Sequence, residues 1–330
     1  GIITGTGDFI QRGQGTTVLN GLNKWSGYTL VENGTLLAGG INRLSSASSH
    51  IVSSNGTLDT GGYNQTVADL VNQGIVNLRG ENVGSTLTVK GDYVGLDGTL
   101  KIAAQQHSPG VADRLVIDGG SASGTTLLDI DVSRLGEPTE GDGIMVVEAV
   151  NGGVTTAQTT RDAFTIGSDY LTAGAWEYQL FAGDQNGAGE DWFLRAGYRP
   201  DVPGFDTLPS IIRQADLFVL GTLHLRQGDE QPYRADNPAD QEGRFWARYL
   251  TKTVDQTLDD ATNSTSHTNY NGMQMGLDLW QNETWRSGLY TTFLDTDSSI
   301  DGNTGMSGGA AYNSTFSTYL GGYATWTSTD

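Results

Sequence analysis

A turn-and-strand unit recurs within residues 33–100 and limits the folds that this chain can adopt. It reads Asn-Gly-Thr-Leu at residues 33–36 and 55–58, and it returns as Asp-Gly-Thr-Leu at residues 97–100. Asn-Gly and Asp-Gly favour a tight turn, and Thr-Leu begins a strand. The units are not arranged as symmetric hairpins. This recurrence is typical of a right-handed parallel β-solenoid, in which each coil buries its apolar side by stacking on its neighbours.

Residues 91–198 combine short β-branched strands with a late concentration of aromatic side chains. The strands include residues 100–102, 115–117 and 144–147. The aromatic residues of the last part are Phe164, Tyr170, Trp176, Tyr178, Phe181, Trp192 and Phe193. Because the last coil of a solenoid has an open face, bulky residues gathered there suit a cap. We therefore predict a cap and expect Trp176, Tyr178, Trp192 and Phe193 to form it.

A proline-containing junction separates this region from the rest of the chain. Pro200, Pro203 and Pro209 precede a run without proline, and proline suits the first turn of a helix. Apolar residues recur at helical spacing over residues 211–225, and Gly228 is a suitable stop. We predict that an α-helix begins after Pro209 and links two unlike β regions.

The last part of the chain alternates apolar and polar side chains. On one segment the apolar residues share one parity, with Gly and polar residues between them: Met273, Met275, Leu277 and Leu279. A further segment repeats the pattern with Phe316, Leu320, Ala324 and Trp326 on one face. A strand with one apolar and one polar face is typical of an outer-membrane barrel.

An earlier strand of this part places basic residues on one face. Arg244, Arg248 and Lys252 share a parity, whereas Phe245, Ala247 and Tyr249 have the other. We predict about four strands of roughly ten residues, with polar loops at residues 255–269 and 295–311. A barrel must close in lipid, so these strands would be an incomplete barrel.

Composition excludes several other functions. With 18 Lys and Arg against 38 Asp and Glu, the formal net charge is −20, which repels the phosphate backbone of nucleic acids. The chain has no cysteine, hence no disulfide and no thiolate metal site. Histidines are scattered, and we predict no cofactor and no metal centre. The start, Gly-Ile-Ile-Thr-Gly, has neither a basic nor an apolar signal region, and we expect a fragment at both ends.

With these motifs in place, nearly the whole sequence resembles a monomeric (type V) bacterial autotransporter. Residues 1–90 are similar to the passenger-associated transport repeat, and residues 91–198 resemble the autochaperone region of pertactin-like passengers. The resemblance implies an all-β fold in four parts. These are β-helix repeats at 1–90, an autochaperone cap at 91–198, a linker with a pore helix at 199–243, and the N-terminal part of the barrel at 244–330.

The same resemblance implies roles for particular residues and partners. The helix, with Ile212, Asp216 and Leu220, would lie inside the barrel pore, while Arg244, Arg248 and Lys252 would face the lumen, where Asp216 is a candidate partner. The cap would fold first outside the cell and template the coils that emerge after it. Implied partners are the outer membrane and the barrel assembly machinery, for a protein that acts as a monomer.

Two further functions stay open at the level of sequence. The solenoid is suited to an adhesin that contacts host glycans or matrix, although no residue identifies a ligand. A β-helix enzyme acting on polysaccharide would need convergent carboxylates, for which Asp129 and Asp131 on one strand face are the candidates. A polar outer face explains these two residues as well. Whether the passenger is cleaved and released also stays open.

Overall fold

The computed structural model describes residues 1–106, 110–157, 162–221, 245–259, 261–282, 284–304, 306 and 308–326. The chain divides into two compact units, Gly1–Gly197 and Tyr198–Asp330.

The first unit is built from short strands. In chain order they are β1 (Thr4–Gly5), β2 (Phe9–Gln11), β3 (Thr16–Leu19), β4 (Lys24–Trp25), β5 (Thr29–Ala38), β6 (His50–Asp59), β7 (Gln65–Val67), β8 (Leu70–Asn72), β9 (Ile75–Asn77), β10 (Thr86–Val89), β11 (Tyr93–Gln105), β12 (Val111–Ala112), β13 (Arg114–Asp118), β14 (Ala122–Arg134), β15 (Ile144–Val150), β16 (Phe164–Thr165), β17 (Leu171–Ala173), β18 (Trp176–Ala182) and β19 (Trp192–Tyr198).

These strands pair in parallel ladders. One ladder runs β2-β5-β6-β8-β11-β14-β16, and another contains β7-β10-β13-β15. The chain passes from β6 in the first ladder to β7 in the second and then returns to β8. Parallel pairing requires such crossovers and does not arise from hairpins. The predicted all-β fold is confirmed, and the parallel ladders are consistent with the predicted β-helix.

The recurring turn-and-strand units occupy the same place in successive coils. Residues 33–36 pair with residues 55–58 in register, and Thr57 and Thr99 both pair with Ile75 of the coil between them. Close packing between coils explains why the unit contains glycine, because a Cβ at Gly56 would collide with the carbonyl oxygen of Val31. Gly34 adopts a φ of 70°, which side-chain-bearing residues rarely do.

The leucine that ends each unit points into the core. Leu36, Leu58, Val76, Leu100 and Leu128 occupy one register position and are 0–1% exposed. Full burial of such a side chain stabilises the fold by roughly 1.5–3 kcal/mol. The solenoid therefore depends on contacts that one coil makes with the next, as the repeat pattern predicts.

The second unit contains α1 (Val202–Val219), β20 (Phe245–Thr257), β21 (Thr265–Gln281), β22 (Trp285–Gly302) and β23 (Gly309–Trp326). The strands form an antiparallel sheet in sequence order. Met273 is 49% exposed and Leu277 is 42% exposed, whereas Tyr270 and Gln274, of the other parity, are each 1% exposed. The alternation predicted from the sequence is confirmed.

The helix bounds and the strand lengths differ from the sequence prediction. Helix α1 begins at Val202, so Pro203 lies in the first turn and Pro209 lies inside the helix. It ends at Val219, before the predicted stop at Gly228, because Leu220 is already extended. The strands of this unit are 13–18 residues long, because β22 and β23 continue pairing through residues that the sequence assigned to a polar loop. Polar side chains such as Tyr312 and Asp297 hydrogen-bond across this extension (2.7 Å), so the ladder persists without apolar burial.

Candidate functional site

The parallel ladder of the solenoid changes direction at β15. This strand is parallel to β13 on one side and antiparallel to β19 on the other. Beyond β19 the sheet continues through β18 to β17, and β17 pairs with β18 in the antiparallel sense. Strands β18 and β19 follow each other in the chain and lie side by side as a hairpin. This hairpin interrupts the repeated crossovers of a solenoid, and it covers the edge that another coil would otherwise extend. The site of interest is therefore this end of the first unit.

Aromatic side chains fill the last layer of the core beneath the hairpin. The Phe164 ring lies 5.9 Å from that of Tyr93 and 5.3 Å from that of Trp192, in an edge-to-face arrangement with Trp192. Trp192 is 3% exposed, and its Nε1 donates a hydrogen bond to the Thr155 hydroxyl (2.9 Å). We call Phe164 and Trp192 the end layer. It closes the apolar interior at the position where the sequence predicted a cap.

Glu190 attaches the hairpin to the loop after β15. One of its carboxylate oxygens accepts the backbone N–H of Thr155 (2.6 Å), the N–H of Thr156 (2.7 Å) and the Thr156 hydroxyl (2.8 Å). Burial by itself would raise the pKa of this carboxyl, but the hydrogen bonds outweigh it and hold the pKa below its ordinary value. Sequence reasoning missed Glu190, because a single glutamate in a polar loop gives no periodic signal.

Tyr178 joins the hairpin to the turn after β14. The residue is buried, and its hydroxyl accepts the backbone N–H groups of Gly136 (3.0 Å) and Glu137 (3.1 Å) while donating to the Glu137 carbonyl (2.6 Å). Burial raises the pKa of the phenol, since the ionised form would lose its hydration. Tyr178 therefore satisfies three backbone groups that would otherwise need water.

The other two predicted cap residues lie on the same hairpin. Phe193 is 7% exposed and is paired with Met145 of β15. The Arg195 guanidinium lies 5.8 Å from the Phe193 ring centre and 4.9 Å from that of Phe181. Trp176 is half-buried and stands opposite Ala173, where β17 meets β18. The structure thus collects all four predicted residues on β18 and β19, and their role in folding stays a prediction.

In the second unit, α1 packs a narrow stripe against the polar-parity face of the sheet. The buried residues of the helix are Pro203, Gly204, Thr207, Ile211, Ala215 and Val219. Tyr270 donates from its hydroxyl to the Ile211 carbonyl (3.1 Å), and Asn313 donates to the Gly204 carbonyl (2.8 Å). Among the described residues, no helix combines the length and apolar composition needed to cross a bilayer.

The basic residues of β20 lie near the end of α1. Arg248 donates to the Val219 carbonyl (3.5 Å) and to the side chain of Gln274 (2.8 Å), and Lys252 Nζ lies 5.7 Å from the centre of the Phe218 ring. Cations are favourable beside the carbonyl end of a helix. Arg244 lies outside the described residues. The assignment of this row to a pore lumen stays a prediction.

Two of the three predicted pore residues lie on the side of α1 that this sheet leaves uncovered. Ile212 is 46% exposed and Leu220, just past the helix, is 67% exposed. Asp216 is exposed and hydrogen-bonds with Tyr319 of β23. The stripe that actually packs is one residue away, at Ile211, Ala215 and Val219, and sequence periodicity alone did not fix which stripe faces the sheet.

The carboxylates suggested for catalysis have structural partners. Asp129 accepts from Arg79 Nη2 (2.8 Å) and lies 4.0 Å from Lys101, and Asp131 accepts the backbone N–H of Ser133 (2.9 Å). Hydrogen bonds from Ser133, its backbone N–H first, hold the pKa of Asp131 below its ordinary value. Within the described part of the chain, no group of three or more His, Asp or Glu residues is arranged to hold a metal ion.

Comparison with known proteins is consistent with this geometry. Residues 65–180 match a family described as Autochaperone Domain Type 1. The match runs from β7 into β18 and so includes the final coils and Tyr178, and it ends before β19.

Curated relatives extend the similarity to other parts of the chain. The Adhesin BmaC autotransporter of Brucella suis biovar 1 (strain 1330) is 29% identical over 326 residues, covering 88% of this chain and 9% of the relative. The Probable autotransporter YfaL of Escherichia coli (strain K12) is 37% identical over 124 residues, covering 37% of the chain and 9% of the relative. The Uncharacterized protein YuaQ of the same strain is 27% identical, covering 99% of the chain and 25% of the relative. The chain thus spans a quarter or less of the length of these relatives.

Proposed function

We propose that this chain belongs to the autotransporters, which the autochaperone match and the similarity to two proteins named autotransporters support, and that it is the junction between a surface-exposed passenger and its membrane domain. Autotransporters are located at the bacterial outer membrane, with the passenger outside the cell. In the proposal, residues 1–90 are passenger coils, residues 91–198 are the autochaperone cap, residues 199–243 contain the pore helix, and residues 244–330 begin the barrel.

One observation carries this proposal. The solenoid ends in a hairpin, and Trp192 of this hairpin packs on Phe164 of β16 in the last layer of the core. The segment that matches an autochaperone family contains Phe164 and ends before β19. Because its apolar interior is closed at one end, the cap can fold before the other coils are present. The other edges of β13 and β14 are the ones that pair with the preceding coil, through β10 and β11. These are the properties that a folding template requires.

The work of the template is mechanical. The cap folds first outside the cell, and each coil that emerges afterwards pairs with the exposed parallel edge left by its neighbour. Burial of inward side chains such as Leu100, Leu58 and Leu36 in turn releases free energy, roughly 1.5–3 kcal/mol for each fully buried leucine. Because a stacked coil does not slide back through a pore, this free energy biases movement outward without ATP.

The second unit serves as the tether. Helix α1 occupies the polar-parity face of the sheet, and the opposite face carries exposed apolar side chains such as Met273, Leu277 and Leu279. Trp285 pairs with Trp326 at one end of that face, as the aromatic girdle of a membrane barrel would. The remaining strands of a closed barrel, and its insertion by the barrel assembly machinery, are part of the proposal.

At the level of the whole protein, we propose an adhesin or another surface virulence factor that acts as a monomer and without catalysis. The relative BmaC is named an adhesin. Ion pairing of Asp129 with Arg79 and use of Asp131 as a turn cap argue against a catalytic carboxylate pair in a polysaccharide enzyme. If the wild-type protein cleaves a polysaccharide and the variant with both aspartates changed to asparagine does not, the enzyme is favoured instead.

The autochaperone role is tested in the full-length protein on the cell surface. We expect Phe164→Ala with Trp192→Ala to leave the barrel in the outer membrane and to remove most of the protease-resistant passenger. Deletion of residues 162–195 should have the same effect. The matched control is Tyr63→Ala, since this aromatic is 44% exposed on an earlier coil. Undiminished, protease-resistant passenger in the double variant would refute the template.

A further inference from the structure

A polar cavity of about 270 Å³ opens on the outer surface of the first unit. Its wall includes Leu22, Lys24, Asn42, Ser46, Thr66 and Lys90. These residues come from separate coils, which are joined by hydrogen bonds. Asn23 donates to the Arg43 carbonyl (2.8 Å), Leu44 N donates to Gln65 Oε1 (3.1 Å), and Lys90 N donates to the Val67 carbonyl (3.1 Å). Lys24 and Lys90 are three coils apart, which at the usual strand spacing is roughly 14 Å.

The charge of this cavity is opposite to that of the whole chain. Lys24 and Lys90 are exposed, and neither forms an ion pair with any described residue. Other cations of the same unit do have carboxylate partners: Arg12 pairs with Glu32 (2.9 Å), and Arg114 pairs with Glu148 (3.3 Å). In a chain with a net charge of −20, two unpaired ammonium groups on one cavity form a local anion-attracting site.

The remaining wall residues select the kind of anion. Ser46 and Thr66 offer hydroxyl groups, and Asn42 offers an amide, all of which suit the hydroxyl groups of a sugar. Leu22 is 51% exposed and supplies an apolar surface for a sugar ring. A densely charged polyanion places charge along the whole wall, including its uncharged middle, whereas a saccharide with separated carboxylates places its charge only where the lysines are.

We propose that this cavity binds a short acidic saccharide, with one carboxylate at Lys24 and a second at Lys90. The sugar rings lie between the two lysines, against Leu22 and the hydroxyls of Ser46 and Thr66. The site goes beyond the folding role proposed above, because it requires a folded solenoid but no particular route of export.

The probe is a fluorescent hyaluronan tetrasaccharide, which alternates carboxylated and neutral sugars, added to bacteria that display the full-length protein. A chitin tetrasaccharide of equal length without carboxylates and a heparin tetrasaccharide with sulfates are measured beside it. We expect the hyaluronan probe to bind and Lys24→Gln with Lys90→Gln to weaken it by about tenfold, since each lost contact with an exposed charge costs roughly a factor of two to five. Replacement of both lysines by arginine should retain binding.

Arg12→Gln is the matched control, because it removes one exposed positive charge from the same solenoid outside the cavity. Its affinity should stay within twofold of wild type. An antibody against the passenger normalises for display, so that a defect in export is measured separately from a defect in binding. Equal binding of the hyaluronan and chitin probes, unchanged binding in the double glutamine variant, or binding of heparin alone would each overturn the assignment.

Discussion

Protonation of His50 should destabilise the solenoid between pH 7 and pH 5. His50 is fully buried in an inward column, between Thr29 of the preceding coil and Leu70 of the next. Its Nδ1 contacts the Ser48 carbonyl oxygen (2.9 Å), and its Nε2 is buried without a hydrogen-bond partner among the described residues. Burial lowers the pKa of the imidazole from 6.5 to about 4, and the contact with Ser48 opposes this only partly.

The magnitude follows from the difference in proton affinity between the two states. The unfolded chain binds a proton at His50 below about pH 6.5, whereas the folded chain does so only near pH 4. Stability from this residue is therefore complete above pH 6.5 and falls as the pH decreases towards 4. At pH 5 the loss is about 2 kcal/mol, and below pH 4 it approaches about 3 kcal/mol.

Hydrogen exchange of the whole chain, read by mass spectrometry on peptides that cover β6, measures this effect. After correction for intrinsic exchange, the protection free energy of wild-type β6 should fall by about 2 kcal/mol more between pH 7 and pH 5 than that of His50→Leu. Carboxylates such as Glu190 contribute their own losses mainly below their ordinary pKa of 4.5. His267→Leu is the control, since His267 is exposed in the second unit. An equal fall in wild type and His50→Leu would refute the reasoning.

Three further predictions concern the cap and the coil turns. Trp192→Phe removes the indole donor from the Thr155 hydroxyl and should lower the free energy of unfolding in urea by about 1–3 kcal/mol. Tyr178→Phe should lower the free energy of unfolding by a similar amount. Hydrogen exchange should rise specifically at the amides of Gly136 and Glu137, which donate to the Tyr178 hydroxyl in the wild type. Gly56→Ala should lower the thermal midpoint because its methyl group meets a backbone carbonyl, whereas Gly7→Ala, with open space around it, should not.

Each of these has a result that contradicts it. Unchanged urea midpoints for Trp192→Phe would mean that the end layer depends on ring packing alone. Unaltered exchange at residues 136–137 in the phenylalanine variant would remove the bracing role of Tyr178. Equal midpoints for the two alanine variants would show that the turn backbone relaxes away from Val31.

Features with a sequence period could be predicted, because the period reports which side of a strand is buried. The stacked units at residues 33–36 and 55–58 fall in register, and Met273 and Leu277 fall on the exposed face. A repeat or an alternation is enforced by many contacts of the same kind. Local exceptions, such as a polar residue within an inward column, do not break such a pattern, and His50 was accordingly not identified as buried.

Features that depend on residues far apart in sequence were not predictable. The start of α1 is decided by Pro203 and by packing of Gly204 and Thr207 on the sheet, whereas the sequence signal of Pro209 pointed to a later start. Glu190 meets Thr155 and Thr156 only because β19 returns beside β15. The lysines of the polar cavity likewise become neighbours through coil stacking, and neither has a local motif.

The in-register pairing of residues 33–36 with residues 55–58 has a consequence for how such proteins change over time. Because successive coils present the same side chains to one another, removal or duplication of one whole coil leaves its neighbours facing a surface of the same kind. The solenoid of the first unit can then lengthen or shorten in genetic steps of a single coil, with no redesign of the end that closes the interior.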